Sequence, residues 1–330
     1  MSVSEAEAEV IAPTPSRLRR ALGLLLSAIA LSASIWWASR QEAPPLPHGP
    51  GDLALIALAV ALYLGYTAGR GWRWHTIMRW AGIRHQRSDA YGLTVVGYMA
   101  NTVLPARGGE VLRIVLMGER SSARRRELLG TVITERTLDA MALAVLFAAL
   151  TLLGMAGSRL GKGPGLVALG AVLLGLAALM AYLRLRRTGR LERFASFARP
   201  VARTSRLLLT RTGLVLGAFT GAVWACEALV FWLVAHVVGL EVTLAEAAFI
   251  VVLASLSALI PAAPGYVGTF DAAVLFGLGS LGIAGGPAVG CLLLYRGVIF
   301  VPVTLAGLAL AIGRYGGLGR LRRLRFSAAR

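Results

Sequence analysis

The chain has 330 residues, 57% hydrophobic and only 15% charged, where a soluble domain carries roughly 25% charge. Its mean hydropathy is +0.70, and 34 Lys and Arg against 16 Asp and Glu leave a formal net charge of +18. Every basic residue except Lys162 is an arginine, and most border long apolar runs. That is the pattern of a polytopic membrane protein with basic cytoplasmic edges, and it excludes nucleic acid as the natural partner. Cys226 and Cys291 both lie in apolar runs, which excludes a disulfide scaffold.

Residues 1–16 are acidic, small and Pro-containing, and read as a disordered tail. Arg17, Arg19 and Arg20 lead into an apolar run at 21–38 that ends in Trp36 and Trp37. The run is long enough to span a bilayer and ends in an interfacial aromatic pair; a cleaved signal peptide is the alternative. A Pro-rich linker follows, and further spans are expected over 53–69, 129–154, 165–183, 213–238 and 287–312. Two other apolar stretches are broken in the middle. The first, 91–117, is interrupted by Leu-Pro-Ala-Arg-Gly-Gly-Glu at 104–110, and the second, 247–281, by Pro-Ala-Ala-Pro-Gly-Tyr-Val-Gly at 261–268.

With six full spans, and each broken stretch returning to the side it entered, 27 of the basic residues fall on the cytoplasmic side and three outside. The bias places both termini in the cytoplasm of a cell (inner) membrane protein. The tally counts all of 70–87 as a cytoplasmic connection. It does not separate a re-entrant hairpin from a pair of full spans, although the first arm, at 14 residues, favours re-entry. The two broken stretches enter from opposite faces, and each consists of an apolar arm, a Pro/Gly tip, an acidic residue (Glu110 or Asp271) and a second arm. This is the sequence signature of an inverted repeat, whose corresponding broken segments point to a transporter's binding site. The expected fold is therefore all-α: six full spans plus two broken hairpins in one domain at 17–315, with a basic tail at 316–330.

Charges at membrane depth are costly and seldom idle. Arg107, Glu110 and Arg113 follow at i, i+3, i+6 across the first tip, so a helix after the tip sets Glu110 and Arg113 on one face. Glu135, Arg136 and Asp139 sit early in the third full span, with Glu135 and Asp139 one turn apart. Glu227 lies mid-span with Trp224 and Phe231 on its face, Asp271 follows the second tip, and Arg296 is deep in the last span. Mutual charge pairing that merely locks the bundle is the structural alternative for this set. Irregular backbone at the tips leaves helix N-termini that suit phosphate, and such backbone is tolerated at depth only inside protein or a wet cavity. Helix ends plus arginines suit an anionic head group, and the acids would balance charge or carry a proton. The segment 184–211 has nine arginines against Glu192 and reads as a helix on a lipid surface. Gly213, Gly217 and Gly221 form a small-xxx-small face expected to pack closely. His75, His85 and His236 are too scattered for a metal site, and no Walker A motif is present, so neither a metal, a cofactor nor ATP is expected.

The string Asn101-x-x-Leu-Pro105-x-Arg107-x-Gly109-Glu110-x-x-Arg113, followed by Glu135-Arg136-x-x-Asp139, resembles the flippase-like family named after the membrane region of lysylphosphatidylglycerol synthase. Pro261-x-x-Pro264-Gly265-x-x-Gly268-x-x-Asp271 and Tyr295-Arg296 are similar to that family's second half. Asp271 stands where the family pattern has Glu, which keeps the carboxylate but shortens its reach. The resemblance implies a membrane domain that moves or houses a lipid with a charged or phosphorylated head, with Arg107, Arg113 and Arg296 holding it. Glu110, Glu227 and Asp271 would balance those charges. Full synthases carry a large aminoacyl-transfer domain, whereas this chain ends at Arg330 after a basic stretch, so the expectation is a non-enzyme. The alternative is a subunit that presents lipid to, or scaffolds, a separate lipid or glycan biosynthetic enzyme.

Overall fold

A computed structural model describes residues 49–104, 108–152, 206–257 and 264–316; among them are eight α-helices, two short 3-10 turns and no strand. The expected spans at 21–38 and 165–183, and nearly all of the arginine-rich segment 184–211, lie outside the described residues.

Helix α1 runs Pro50–Trp80 with Pro50 in its first turn, where a missing N–H costs nothing. It ends where Gly82 takes φ 77 and Ile83 N donates to Met78 O, a left-handed C-terminal cap. α2 (Arg87–Val103) and α3 (Gly108–Gly118) are the arms of the first broken stretch. α4 covers Arg125–Leu152 and α5 covers Arg211–Val237, the latter capped by Thr210, which accepts from Gly213 N. The second broken stretch supplies α6 (Leu244–Ser257) and α7 (Thr269–Ser280), and α8 (Gly285–Gly313) closes the described fold with Pro302 inside it. α1, α5 and α8 are long and apolar enough to cross a membrane. α4 has the length, but its first half carries Glu135, Arg136 and Asp139.

Both broken stretches are hairpins. A Cβ on Gly109 would fall onto the carbonyl of Gly97, and Gly97 faces the Arg113 side chain, so α3 runs back along α2. Gly277 approaches Ile250, and α7 likewise returns along α6. At about 1.5 Å per residue none of these four arms covers a ~30 Å hydrocarbon core. The hairpins also touch each other: the second tip packs on α2, and a Cβ placed on Gly265 would stand 3.4 Å from Thr102 O.

α8 packs along α2, and α1 packs against α5 and α2. Two large apolar cores result, beside two smaller clusters. One gathers Tyr63, Phe231, Val234, Ile250, Val274 and Tyr295, the other Trp74, Met78, Leu93, Leu116, Leu128 and Tyr315. Along α1 the first core ends near Tyr66 and the second begins at Trp74; along α4 the break falls between Val132 and Leu143. The gap in both helices is filled by charge. Arg70 and Arg73 occupy it on α1, and both are buried inside the bundle rather than in a cytoplasmic connection. The charge tally over 70–87 therefore overcounted by these two residues, because the helix continues through them to Trp80. On the small-xxx-small face, Gly213 abuts Leu207 and Leu208, while Gly217 and Gly221 meet nothing within 4 Å among the described residues.

Candidate functional site

The charged layer is built from three helices. Arg73, fully buried, sends Nη1 to Asp139 Oδ1 (2.7 Å) and Nη2 to Asp139 Oδ2 (3.1 Å), and its Nη1 also donates to Thr220 Oγ1 (2.9 Å). Its Nε lies 3.6 Å from Glu135. Glu135 takes a second arginine, accepting from Arg113 Nη2, while the Arg113 guanidinium rests 4.6 Å from the Trp74 ring centre. Arg136 contacts Glu110 and Asp139, each at 3.5 Å. Three arginines thus face three carboxylates. Buried charges are tolerated only when paired and hydrogen-bonded in this way. The i, i+4 spacing of Glu135 and Asp139 brings both carboxylates to Arg73, and the i, i+3 spacing of Glu110 and Arg113 brings both to one opening.

That opening is a small pocket with room for about one water. Thr94, Gly97, Tyr98 and Asn101 form its α2 wall. Gly109, Glu110 and Arg113 line it from α3, and Arg136 from α4. Asn101 Oδ1 accepts from Gly109 N (2.9 Å) and so holds α3's first turn against α2. The arginines here are not equivalent. Arg113 is 5% exposed and engaged at Glu135, whereas Arg136 is 33% exposed with two loose contacts. Arg136 is the most exposed and most loosely paired of the three arginines in this layer.

The second tip forms a separate cluster. Pro264–Tyr266 is a 3-10 turn in which Gly265 (φ 66) and Tyr266 (φ 58) are left-handed, followed by Gly268 at φ 93. Asp271 Oδ2 accepts from Gly268 N (2.9 Å), capping its own helix, and Oδ1 accepts from Arg296 Nε. Arg296 Nη1 donates to Gly265 O (3.2 Å), and the guanidinium lies against the rings of Phe270 and Phe300, 5.4 and 5.2 Å from their centres. Asp271 thus pairs with Arg296 and also occupies the N-terminus of its own helix. Arg296 Nη2 and Thr269 Oγ1 are buried and lack a hydrogen-bond partner among the described residues.

Glu227 pairs with Arg70 Nη2 (3.0 Å), whose Nη1 donates to Tyr98 OH (2.8 Å). Trp224 and Tyr66 stand against the Arg70 guanidinium, their ring centres 4.9 and 5.4 Å away. Arg70, Arg73 and Tyr98 were not singled out from sequence; the available signal was the aromatic spacing Tyr63, Tyr66, Trp74 around two arginines on one helix. Pro105, Arg107 and Pro261 lie outside the described residues. His75 and His85 do meet, Nδ1 to Nε2 at 2.8 Å, because the turn after α1 doubles back. No group of three metal-capable side chains forms among the described residues.

At the hairpin base, Asp89 of α2 accepts from Arg314 Nη2 (2.9 Å), beyond the end of α8. Arg120, beyond the end of α3, donates to Arg314 O (3.2 Å). Burial and the Asp89 carboxylate push the neighbouring Tyr315 phenol up to about 12, so it stays a neutral donor near pH 7.

The family described as the lysylphosphatidylglycerol synthase TM region matches residues 20–307. The chain belongs to this family. It is 36% identical over 114 residues to a phosphatidylglycerol lysyltransferase of Staphylococcus epidermidis, a match covering 34% of this chain and 13% of the relative. It is 38% identical over 109 residues to the phosphatidylglycerol lysyltransferase of Staphylococcus xylosus, covering 33% and 12%. It is 29% identical over 134 residues to glycosyltransferase AglD of Haloferax volcanii, covering 41% and 21%. The chain thus spans about a fifth or less of the length of the curated relatives it matches. No solved structure matches. Membership settles that this is a membrane protein of a lipid-related family.

Proposed function

We propose that this membrane domain binds an anionic or phosphorylated lipid by its head group and carries it between leaflets, with no ATP hydrolysis of its own. The observation that carries the reading is Arg136, loosely held between Glu110 and Asp139 at the mouth of the α2–α3–α4 pocket. A phosphate arriving there competes with Glu110 for Arg136, and charge-assisted bonds of this kind are roughly twice as strong as neutral ones. The pocket is tight, so a head group must part α3 from α4 to enter, while its acyl chains remain in the lipid. In this reading the two hairpins are re-entrant, from opposite faces of an inner membrane with both chain termini in the cytoplasm. Arg296 and the second tip form the other half of the path, reached through the Thr102–Gly265 contact.

The experiment is leaflet-resolved lipid movement in proteoliposomes, at equal folded amounts of protein. Arg136→Gln, Glu110→Gln and Asp271→Asn should each abolish movement while leaving the protein inserted; rates equal to wild type would sink the reading. A second reading, a membrane subunit that presents lipid to a separate biosynthetic enzyme, draws support from relatives named as a lysyltransferase and a glycosyltransferase. Head-group binding without movement in the wild type would select it.

A further inference from the structure

We infer that Tyr98 is a direct ligand contact of the pocket, a hydroxyl donor aimed at an anionic oxygen, and that Arg70 and Glu227 act through it as positioning residues. The inference rests on the head-group site proposed above and adds residues from a second charge cluster to it.

Tyr98 lines the pocket from α2, and its hydroxyl oxygen accepts from Arg70 Nη1 at 2.8 Å. A phenol whose oxygen is filled by a cation must turn its own proton elsewhere. Among the described residues that proton has no hydrogen-bond acceptor. Arg136 lines the same pocket from α4, so an anion seated there meets both the phenol and this cation. Arg70 cannot take that anion itself. Its Nη2 is bound by Glu227 at 3.0 Å, three aromatic rings pack on it, and its side chain is 7% exposed. The pair is therefore a fixed bracket, while the phenol is the one group of this cluster that lines the pocket. A cation on the phenol oxygen also strengthens the O–H as a donor, since bonds in a chain polarise one another. A phosphate oxygen is the matching acceptor: it takes the Tyr98 proton on one side and Arg136 on the other.

The test uses the full chain in detergent, titrated calorimetrically with dioctanoyl phosphatidylglycerol, with inorganic phosphate, and with dioctanoylglycerol as a phosphate-free control. Tyr98→Phe keeps the ring under Arg70 but takes the acceptor from its Nη1, so the ligand-free Tm should fall modestly, while Kd for phosphatidylglycerol, measured on the folded protein, should rise about ten-fold, as for a lost bond to a charged group. Glu227→Gln should weaken binding as well, and the double variant should bind no worse than Tyr98→Phe alone, because Glu227 acts through the phenol. A loss confined to phosphatidylglycerol identifies a lipid head group, and an equal loss for inorganic phosphate identifies a free anion; both support the contact. Wild-type affinity in Tyr98→Phe, alongside lost binding in Arg136→Gln, overturns the contact but leaves the pocket standing. Unchanged binding in Arg136→Gln, or no binding by wild type, overturns the pocket reading itself. Additive losses in the double variant overturn the positioning role.

Discussion

A guanidinium with no exposed surface, such as that of Arg73, exists only because two carboxylates and a hydroxyl surround it. Removing one partner of a buried pair strands the other, at about 3–5 kcal/mol. Arg73→Leu should therefore lower stability by about that amount in thermal unfolding in detergent. Arg136→Gln should cost about 1 kcal/mol or less, since the side chain is one-third exposed and loosely paired. A stable Arg73→Leu protein would mean that the charged layer is not what joins the two cores. Spacing alone made part of this layer readable: Glu110 with Arg113, and Glu135 with Asp139, follow from helical geometry. Arg70 and Arg73 were hidden because an arginine just after an apolar run normally marks the membrane edge. What buries them is a set of partners on α2, α4 and α5, remote in sequence and invisible to any local pattern.

The hairpins were legible as elements, since Pro/Gly tips between short apolar arms leave few other folds at membrane depth. How tightly the arms pair was not legible, because it depends on a backbone crossing at Gly97 and Gly109 that no spacing rule announces. The crossing makes a prediction at this scale. Gly109→Ala puts a methyl onto the Gly97 carbonyl, so α3 must shift from α2, and overpacking of this kind costs about 1–3 kcal/mol. Gly217→Ala, which meets nothing within 4 Å among the described residues, should be neutral or stabilising by up to about 1 kcal/mol through helix propensity. Comparing their unfolding midpoints checks both; equal losses would mean that the crossing is not tight.

For the whole molecule, the contact between Asp89 and Arg314 sets the start of α2 beside the end of α8, while α5 ends and α6 begins at the opposite pole. With Cys226 and Cys291 replaced, cysteines at exposed Gln86 and Ser122 should label from one side of the membrane. Cysteines at Glu241 and Ala284 should label from the other. Labelling of Gln86 and Glu241 from the same side would break the proposed topology. α8 also has a part in any motion. Its Gly307 is pressed against Met99 and Val95 of the first hairpin, and its Arg296 grips the second tip. One rod thus holds both hairpins, and Pro302 lies between the two grips. A proline there deletes the amide that would bond to the carbonyl four residues back, leaving the rod easiest to bend at that point. Pro302→Ala should stiffen the joint, slowing lipid movement several-fold while leaving head-group affinity unchanged; unaltered movement would show that the joint does not flex in the cycle. In the proposed transport cycle, a rigid shaft would force both hairpins to swing together, whereas a jointed one would let the first open while the second stays latched, the sequence of events that would prevent a continuous leak through the bilayer.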